Sequence, residues 1–136
     1  MPVQQEPVSK PEEKERAAAE GLKPVYFNFD EAAIRAEARP VVQADAAWLR
    51  ANPKAVIRIE GNCDERGTKE YNLALGQRRA ANIRKYLTTL GIAEGRIALL
   101  SLGKEKPLCT QQTEECMQKN RRGDLVVAEP RVSAAH

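Results

Sequence analysis

The stretch from Val56 to Leu90 constrains the fold more than any other part of the chain. From Val56 to Cys63, Ile57 and Ile59 alternate with Arg58 and Glu60, the two-residue period of a strand with one buried face. Gly61 through Thr68 is rich in turn residues, and a long helix is predicted from Lys69 to about Leu90. Leu73, Ala80, Ile83, Leu87 and Leu90 fall on one stripe of it, with Thr68 placed to cap its start and Gly91 to end it. A half-apolar strand followed at once by an apolar helical stripe buries both surfaces when the helix lies across a sheet.

The rest of the chain supplies the other layers. Val25 to Phe29 reads as a strand that stops at Asp30. Ala38, Val41, Val42, Asp45, Trp48 and Leu49 recur at helical spacing, with Pro40 acceptable only near a first turn and Asn52-Pro53 as the stop. Trp48 is expected in the core. Arg96 to Leu102 is predicted as a strand, Thr113 to Asn120 as a short helix and Leu125 to Ala128 as a last strand. Residues 1–23 carry Pro2, Pro7, Pro11 and a charged, alanine-rich run with scarcely a large apolar side chain, so they read as a flexible linker. The domain is expected over residues 24–130, with a short tail at 131–136.

Several functional classes fit poorly. A formal charge of +3 is too small for a nucleic-acid footprint, and 4% aromatic residues leave little for base stacking. No run reaches the ~18 apolar residues of a membrane-spanning helix. The only histidine is His136, Gly103-Lys104 lacks the rest of a phosphate-binding loop, and no His/Cys/Asp spacing suggests zinc. The chain is therefore expected to be no enzyme and to need no cofactor or metal.

The chemistry concentrates in Gly61-Asn62-Cys63-Asp64-Glu65-Arg66-Gly67-Thr68, Glu70-Tyr71-Asn72 and Leu75-Gly76-Gln77-Arg78-Arg79-Ala80. Asn72, Leu75 and Arg79 share one helix face at i, i+3 and i+7. If the loop folds back over the first helical turns, Asp64 and Arg79 border one concave site. A fixed anion beside a fixed cation suits a zwitterionic ligand such as a free amino-acid centre, because arginine forks onto a carboxylate while aspartate accepts from an ammonium. On spacing alone, Asp64 could equally pair with Arg66 or Arg79 merely to pin the loop.

These residues are recognisable. Gly61 to Ala80 resembles the signature of OmpA-like peptidoglycan-binding domains, and Asp64 to Thr68, Tyr71-Asn72 and Arg78 to Ala80 are similar to the peptidoglycan-associated lipoprotein branch. Asn120-Arg121-Arg122 is similar as well. The resemblance implies an α+β sandwich of the OmpA C-terminal type, a mixed sheet of about four strands with helices on one face. It implies non-catalytic binding of peptidoglycan through the diaminopimelate residue of the stem peptide, tethering the outer membrane to the wall from the periplasm. Asp64 and Arg79 would hold that zwitterion, with Phe29, Asp30, Asn72 and Leu75 lining the pocket, Asn62 beside it, and Arg121 and Arg122 flanking it. Alanine at Asp64 or Arg79 is expected to leave the fold largely intact. The resemblance also implies TolB and other Tol envelope proteins as partners, and a membrane contact only through a lipid anchor. The alternative function is a protein scaffold module of that Tol system.

Two positions depart from the family pattern. Asn62 stands where the family usually has histidine, and Gly123-Asp124 where it has larger residues, so Gly123 is expected to weaken the start of the last strand by roughly 0.5 to 1 kcal/mol. Anionic surface binding through Arg78, Arg79, Arg84, Lys85, Arg121 and Arg122 is a weaker alternative. In an oxidising periplasm, Cys109 and Cys116, which enclose a short polar loop, are expected to form a disulfide; two free thiols or half a metal site is the competing reading. Cys63 has the strand parity of Ile57 and Ile59, so it is expected to face inward, unpaired and inert.

Overall fold

A parallel pair of strands cannot be joined by a tight turn, and that rule organises the centre of the molecule. The computed structural model describes residues 21–64 and 66–128; the expected linker up to residue 20 and the tail lie outside the described residues. The strands are β1 (Val25–Tyr26), β2 (Val56–Asn62), β3 (Ile97–Gly103) and β4 (Arg122–Ala128), in the order β1-β4-β2-β3. β4 runs antiparallel to β1 and β2, whereas β2 and β3 are parallel, so the sheet is mixed. Helix α1 (Arg39–Ala51) joins β1 to β2, α2 (Lys69–Thr89) makes the crossover from β2 to β3, and α3 (Glu114–Asn120) precedes β4.

Local chemistry sets the helix ends. Thr68 Oγ1 accepts from the Tyr71 amide at 3.1 Å and Thr113 Oγ1 from the Cys116 amide at 3.1 Å, each satisfying an otherwise orphaned donor. Pro40 lies in the first turn of α1, where its missing N–H costs nothing. Gly91, with φ of +98°, ends α2.

The core is built from strand residues of one parity, Ile57, Ile59, Ile97 and Leu125, against Val42, Ala46 and Leu49 of α1 and Ala80, Ile83 and Leu87 of α2. Trp48 packs against its edge. The opposite parity is less simple than an alternating pattern suggests. Glu60 is buried, with Arg58 Nη2 at 2.8 Å and Lys106 Nζ at 4.0 Å.

Where α2 crosses the sheet, backbone meets backbone. A Cβ on Gly61 would run into the Gly76 carbonyl, and one on Gly76 would sit 2.7 Å from the Gly61 oxygen. Gly123 makes room for a side chain instead, since a Cβ there would strike only the tip of Ile83, Cδ1. β4 therefore starts at Arg122, three residues earlier than predicted, with Gly123 paired to both Val25 and Gly61. The glycine permits close helix packing, an advantage that propensity alone does not register.

Two boundaries also differ from expectation. β1 ends at Tyr26 because the following chain is drawn away from the sheet, although the Phe27 amide still donates to Arg121 O at 2.8 Å. At the other end, packing reaches into the expected linker. Leu22 belongs to the core, and the Lys23 amide donates to Asp45 Oδ1 at 2.9 Å.

Asp45 is fully buried, and burial raises its pKa from 3.8 to about 7 despite the Lys23 amide. A folded-state pKa above the unfolded value means the native state holds a proton that the unfolded chain releases. Asp45 thus favours folding fully below pH ~4, and this contribution is lost as pH rises through about 7. Thermal unfolding from pH 5 to 8 should show wild type losing stability relative to Asp45→Asn, which should be more stable at pH 8 by about 2 kcal/mol. A parallel pH dependence of the two proteins would show that Asp45 does not titrate in this window. At the crossing, Gly61→Ala should cost about 3 kcal/mol or more in urea unfolding. A loss below about 1 kcal/mol would mean that α2 can back away from the sheet.

Candidate functional site

The C-terminal end of β2, the loop after β1, the first turns of α2 and the residue after α3 converge on one cavity of about 210 Å³. It is lined by Phe29, Asp30, Cys63, Asp64, Arg66, Gly67, Tyr71, Asn72, Leu75, Arg79 and Arg121. Arg79 is fully buried at its base. Its Nε donates to Glu31 O at 2.8 Å, Nη1 to Asn62 O at 2.9 Å and Nη2 to Asn28 O at 2.9 Å. Three of the five guanidinium N–H bonds are thus engaged by carbonyls, and the guanidinium also hydrogen-bonds the Cys63 thiol. Burial, and then the nearby Arg121 charge, lower its pKa, but an arginine remains a cation at neutral pH.

Asp64 is also buried, yet its carboxylate is saturated. Oδ1 accepts from the Arg66 amide at 3.0 Å and from Nε at 3.3 Å; Oδ2 accepts from Arg66 Nη2 at 2.6 Å and Arg121 Nη1 at 3.3 Å. Burial acts to raise the pKa, but these donors outweigh it and hold the carboxyl below the ordinary range. Arg121 is fixed in turn by Phe27 O at 3.0 Å and Glu114 Oε2 at 2.8 Å. The rim is formed by Arg66 over the Phe29 ring, 3.8 Å from its centroid, and by the Tyr71 hydroxyl donating to Asp30 Oδ1. Asp30 is the one non-glycine residue in the left-handed region among those described, with φ of 58°. Asn72 shapes the loop by donating Nδ2 to Arg66 O at 2.7 Å.

Of the residues singled out from sequence, Phe29, Asp30, Asp64, Asn72, Leu75, Arg79 and Arg121 meet in this cavity. Asn62 and Arg122 are not among its lining. Asn62 lies on the strand face opposite Cys63 and donates Nδ2 to Glu60 O at 3.0 Å; only its carbonyl reaches Arg79. Arg122 is buried against Asp124, with Oδ2 at 3.0 Å from Nε, and donates to Lys106 O. With Arg79, Arg121 and Arg122 all buried, the basic surface considered above loses half its members. Alanine at Arg79 would strand three carbonyls and empty a core position, so that position cannot be emptied without cost to the fold.

Comparison with known proteins bears on what this cavity belongs to. The OmpA family matches residues 26–121, most of the chain. The chain belongs to that family. The OmpA-family domain is 43% identical over 103 residues to the peptidoglycan-associated lipoprotein of Brucella melitensis, covering 76% of this chain and 61% of that protein. It thus spans about three fifths of the length of that relative. The crystal structure of the peptidoglycan-associated lipoprotein from Burkholderia pseudomallei superposes with a TM-score of 0.75 at 43% identity, covering 78% of this chain and 90% of that one. The cell wall anchor of the type VI secretion system from Pseudomonas aeruginosa gives 0.64 at 28% identity, covering 76% of each.

Arg66, Tyr71, Gly67 and Cys63 line the cavity but were not assigned to it from sequence. Arg66 had a signal, since it lies two residues from Asp64 and was weighed as its partner. Tyr71 stood in the motif that carries the family resemblance, but its partner Asp30, 41 positions away, left no local sign. The expected disulfide joins Cys109 and Cys116, with Cα atoms 5.5 Å apart. Asn120 also ties this loop to the end of α3, accepting from the Leu108 and Cys109 amides at 2.7 and 3.3 Å and donating to Cys109 O at 2.8 Å. Arg121 follows directly and inherits that rigidity.

Cys63 is free and buried, and donates Sγ–H to Asn72 O at 3.3 Å. Burial pushes its pKa up, which opposes formation of the reactive thiolate. Native protein exposed to a maleimide should therefore label Cys63 slower than the unfolded chain by about two orders of magnitude or more. Labelling at the rate of an open thiol would mean that the Gly61–Thr68 loop does not stay closed over it.

Proposed function

We propose that this domain binds peptidoglycan without cleaving it, holding the diaminopimelate residue of the stem peptide in the cavity between Asp64 and Arg79. One observation carries the reading: a buried carboxylate and a buried guanidinium line the same 210 Å³ space, which is open to solvent past Phe29 and Tyr71. The amino-acid centre at the end of diaminopimelate brings an ammonium and a carboxylate on one carbon. Asp64 accepts from the ammonium, and the Arg79 guanidinium serves the carboxylate with the N–H capacity its carbonyl partners do not use. Leu75 and Phe29 supply apolar contact for the methylene chain. The names of the Brucella and Burkholderia relatives support the ligand class. The lining offers recognition without a nucleophile and base in contact, since its only thiol is held protonated by burial. The same reading places the domain in the periplasm, tethering the outer membrane to the wall.

The test uses the ligand as much as the protein. Purified sacculi should co-sediment with the wild-type domain, whereas a protein scaffold of the Tol type would stay in the supernatant. In calorimetric titrations, a diaminopimelate stem peptide should bind, and Asp64→Ala should weaken it by about 2 to 4 kcal/mol with unchanged circular dichroism. A lysine-type peptide, which lacks the terminal carboxylate, should bind far more weakly, as should Arg79→Lys, which cannot reproduce the planar fork. Equal affinity for the two peptides would place the recognised group elsewhere.

A further inference from the structure

We propose that Arg66 is a displaceable internal counter-ion that takes the ammonium position of the ligand in the free domain, so that binding is an exchange of one cation for another on Asp64. This rests on the peptidoglycan reading and adds a residue that controls its affinity. Both oxygens of Asp64 are engaged by Arg66, Oδ1 through the amide and Nε and Oδ2 through Nη2 at 2.6 Å, and the Asp64 side chain is only 5% exposed. No ammonium can reach that carboxylate while the Arg66 side chain lies across it.

The second cation on Asp64 cannot be the one that yields. Arg121 is buried, and two further acceptors, Phe27 O and Glu114 Oε2, hold its guanidinium in place. Arg66 differs on each count. Its side chain is 37% exposed, belongs to a loop, and stacks on the outward-facing Phe29 ring. An acceptor for the released side chain is already at hand, because Glu114 Oε1 lies 3.9 Å from Arg66 Nη2. Leaving Asp64 therefore moves Arg66 from one carboxylate toward another. Its backbone amide stays on Oδ1 throughout, and Asn72 still holds its carbonyl, so the loop keeps its shape.

The consequence is quantitative. A site whose competent state is only partly populated binds with its intrinsic affinity reduced by that fraction. Removing the charge from Arg66 should then tighten binding, the reverse of what a ligand-contacting arginine would give. The experiment titrates wild type, Arg66→Gln and Arg66→Lys with a stem tripeptide ending in meso-diaminopimelate, following heat and the side-chain Nε–H resonances of arginine. Arg66→Gln should bind about three- to ten-fold more tightly than wild type, the range set by a half-exposed ion pair, and Arg66→Lys should stay near wild type because it keeps a competing cation. In wild type, the Arg66 Nε–H signal should move toward its solvent-exposed position at saturation while that of Arg121 keeps its protection. Weaker binding by Arg66→Gln, or an Arg66 signal unmoved at saturation, overturns the exchange and leaves the peptidoglycan reading standing. No binding by any of the three proteins overturns both.

Discussion

A guanidinium buried without a carboxylate in direct contact holds the working part of this domain together. Taking Arg79 out of water costs several kcal/mol, and three backbone carbonyls compensate for it. Those carbonyls come from two distant pieces of chain, Asn28 and Glu31 after β1 and Asn62 at the end of β2. Arg79 therefore joins the β1–α1 connection to the centre of the sheet. It also explains why β1 is short, since the carbonyls that could have continued the ladder turn toward α2 instead. Lysine has no planar array of donors with which to satisfy three acceptors at once.

Arg79 reaches those carbonyls only because α2 lies unusually close to β2. The contact between Gly61 and Gly76 brings backbone to backbone one turn before Arg79, and Gly123 makes room for Ile83 one turn after it. Gly61 and Gly76 thus set the height of the helix over the sheet, and that height sets the position of the guanidinium. At the opposite wall, the Cys109–Cys116 bond and Asn120 fix the end of α3, which places Arg121 against Asp64. The charged groups at the cavity are held from behind by packing that carries no charge chemistry of its own.

Much of this was legible in the residues. The order of the elements followed from the period of Ile57 and Ile59 and the stripe through Ile83 and Leu87, and Thr68 marked the helix start as its hydroxyl chemistry requires. Cys63 is buried and unpaired as expected, although the alternation of β2 breaks down after Ile59 and its register with β3 shifts at Gly61 and Asn62; its burial comes from packing against the start of α2, where its thiol meets Asn72 O. The side-chain partners were harder, for a physical reason. Asp64 had several arginines within plausible reach, and choosing Arg66 and Arg121 over Arg79 depends on how far α2 sinks toward the sheet. Gly123 looked like a weak strand residue because strand propensity takes no account of a helix passing overhead. Arg122 and Asn62 lie on the other face of the sheet, where the chain around Lys106 meets Arg122; nothing local in the sequence announces such a cover. Leu22 was hidden by its neighbours, since one apolar residue at the edge of a polar run carries no period.

The charge balance of the cavity bears on what can enter it. Three guanidiniums, of Arg66, Arg79 and Arg121, face the carboxylates of Asp30 and Asp64. A ligand carrying only an ammonium would have to compete with Arg66 for Asp64 and would leave the Arg79 cation facing no anion of the ligand. A ligand carrying only a carboxylate could use that cation, but would bring nothing to replace Arg66. If Arg66 swings out to Glu114 as proposed, two cations and two anions remain, and the space they enclose is balanced for a guest that is itself neutral overall. On the proposed reading, each half of a zwitterion would answer one half of the site, its ammonium releasing Arg66 from Asp64 and its carboxylate meeting Arg79. Neither a simple cation nor a simple anion would leave the charges of Asp64 and Arg79 matched, so on that reading selectivity comes from the pairing of the two charges on one carbon more than from the strength of either contact.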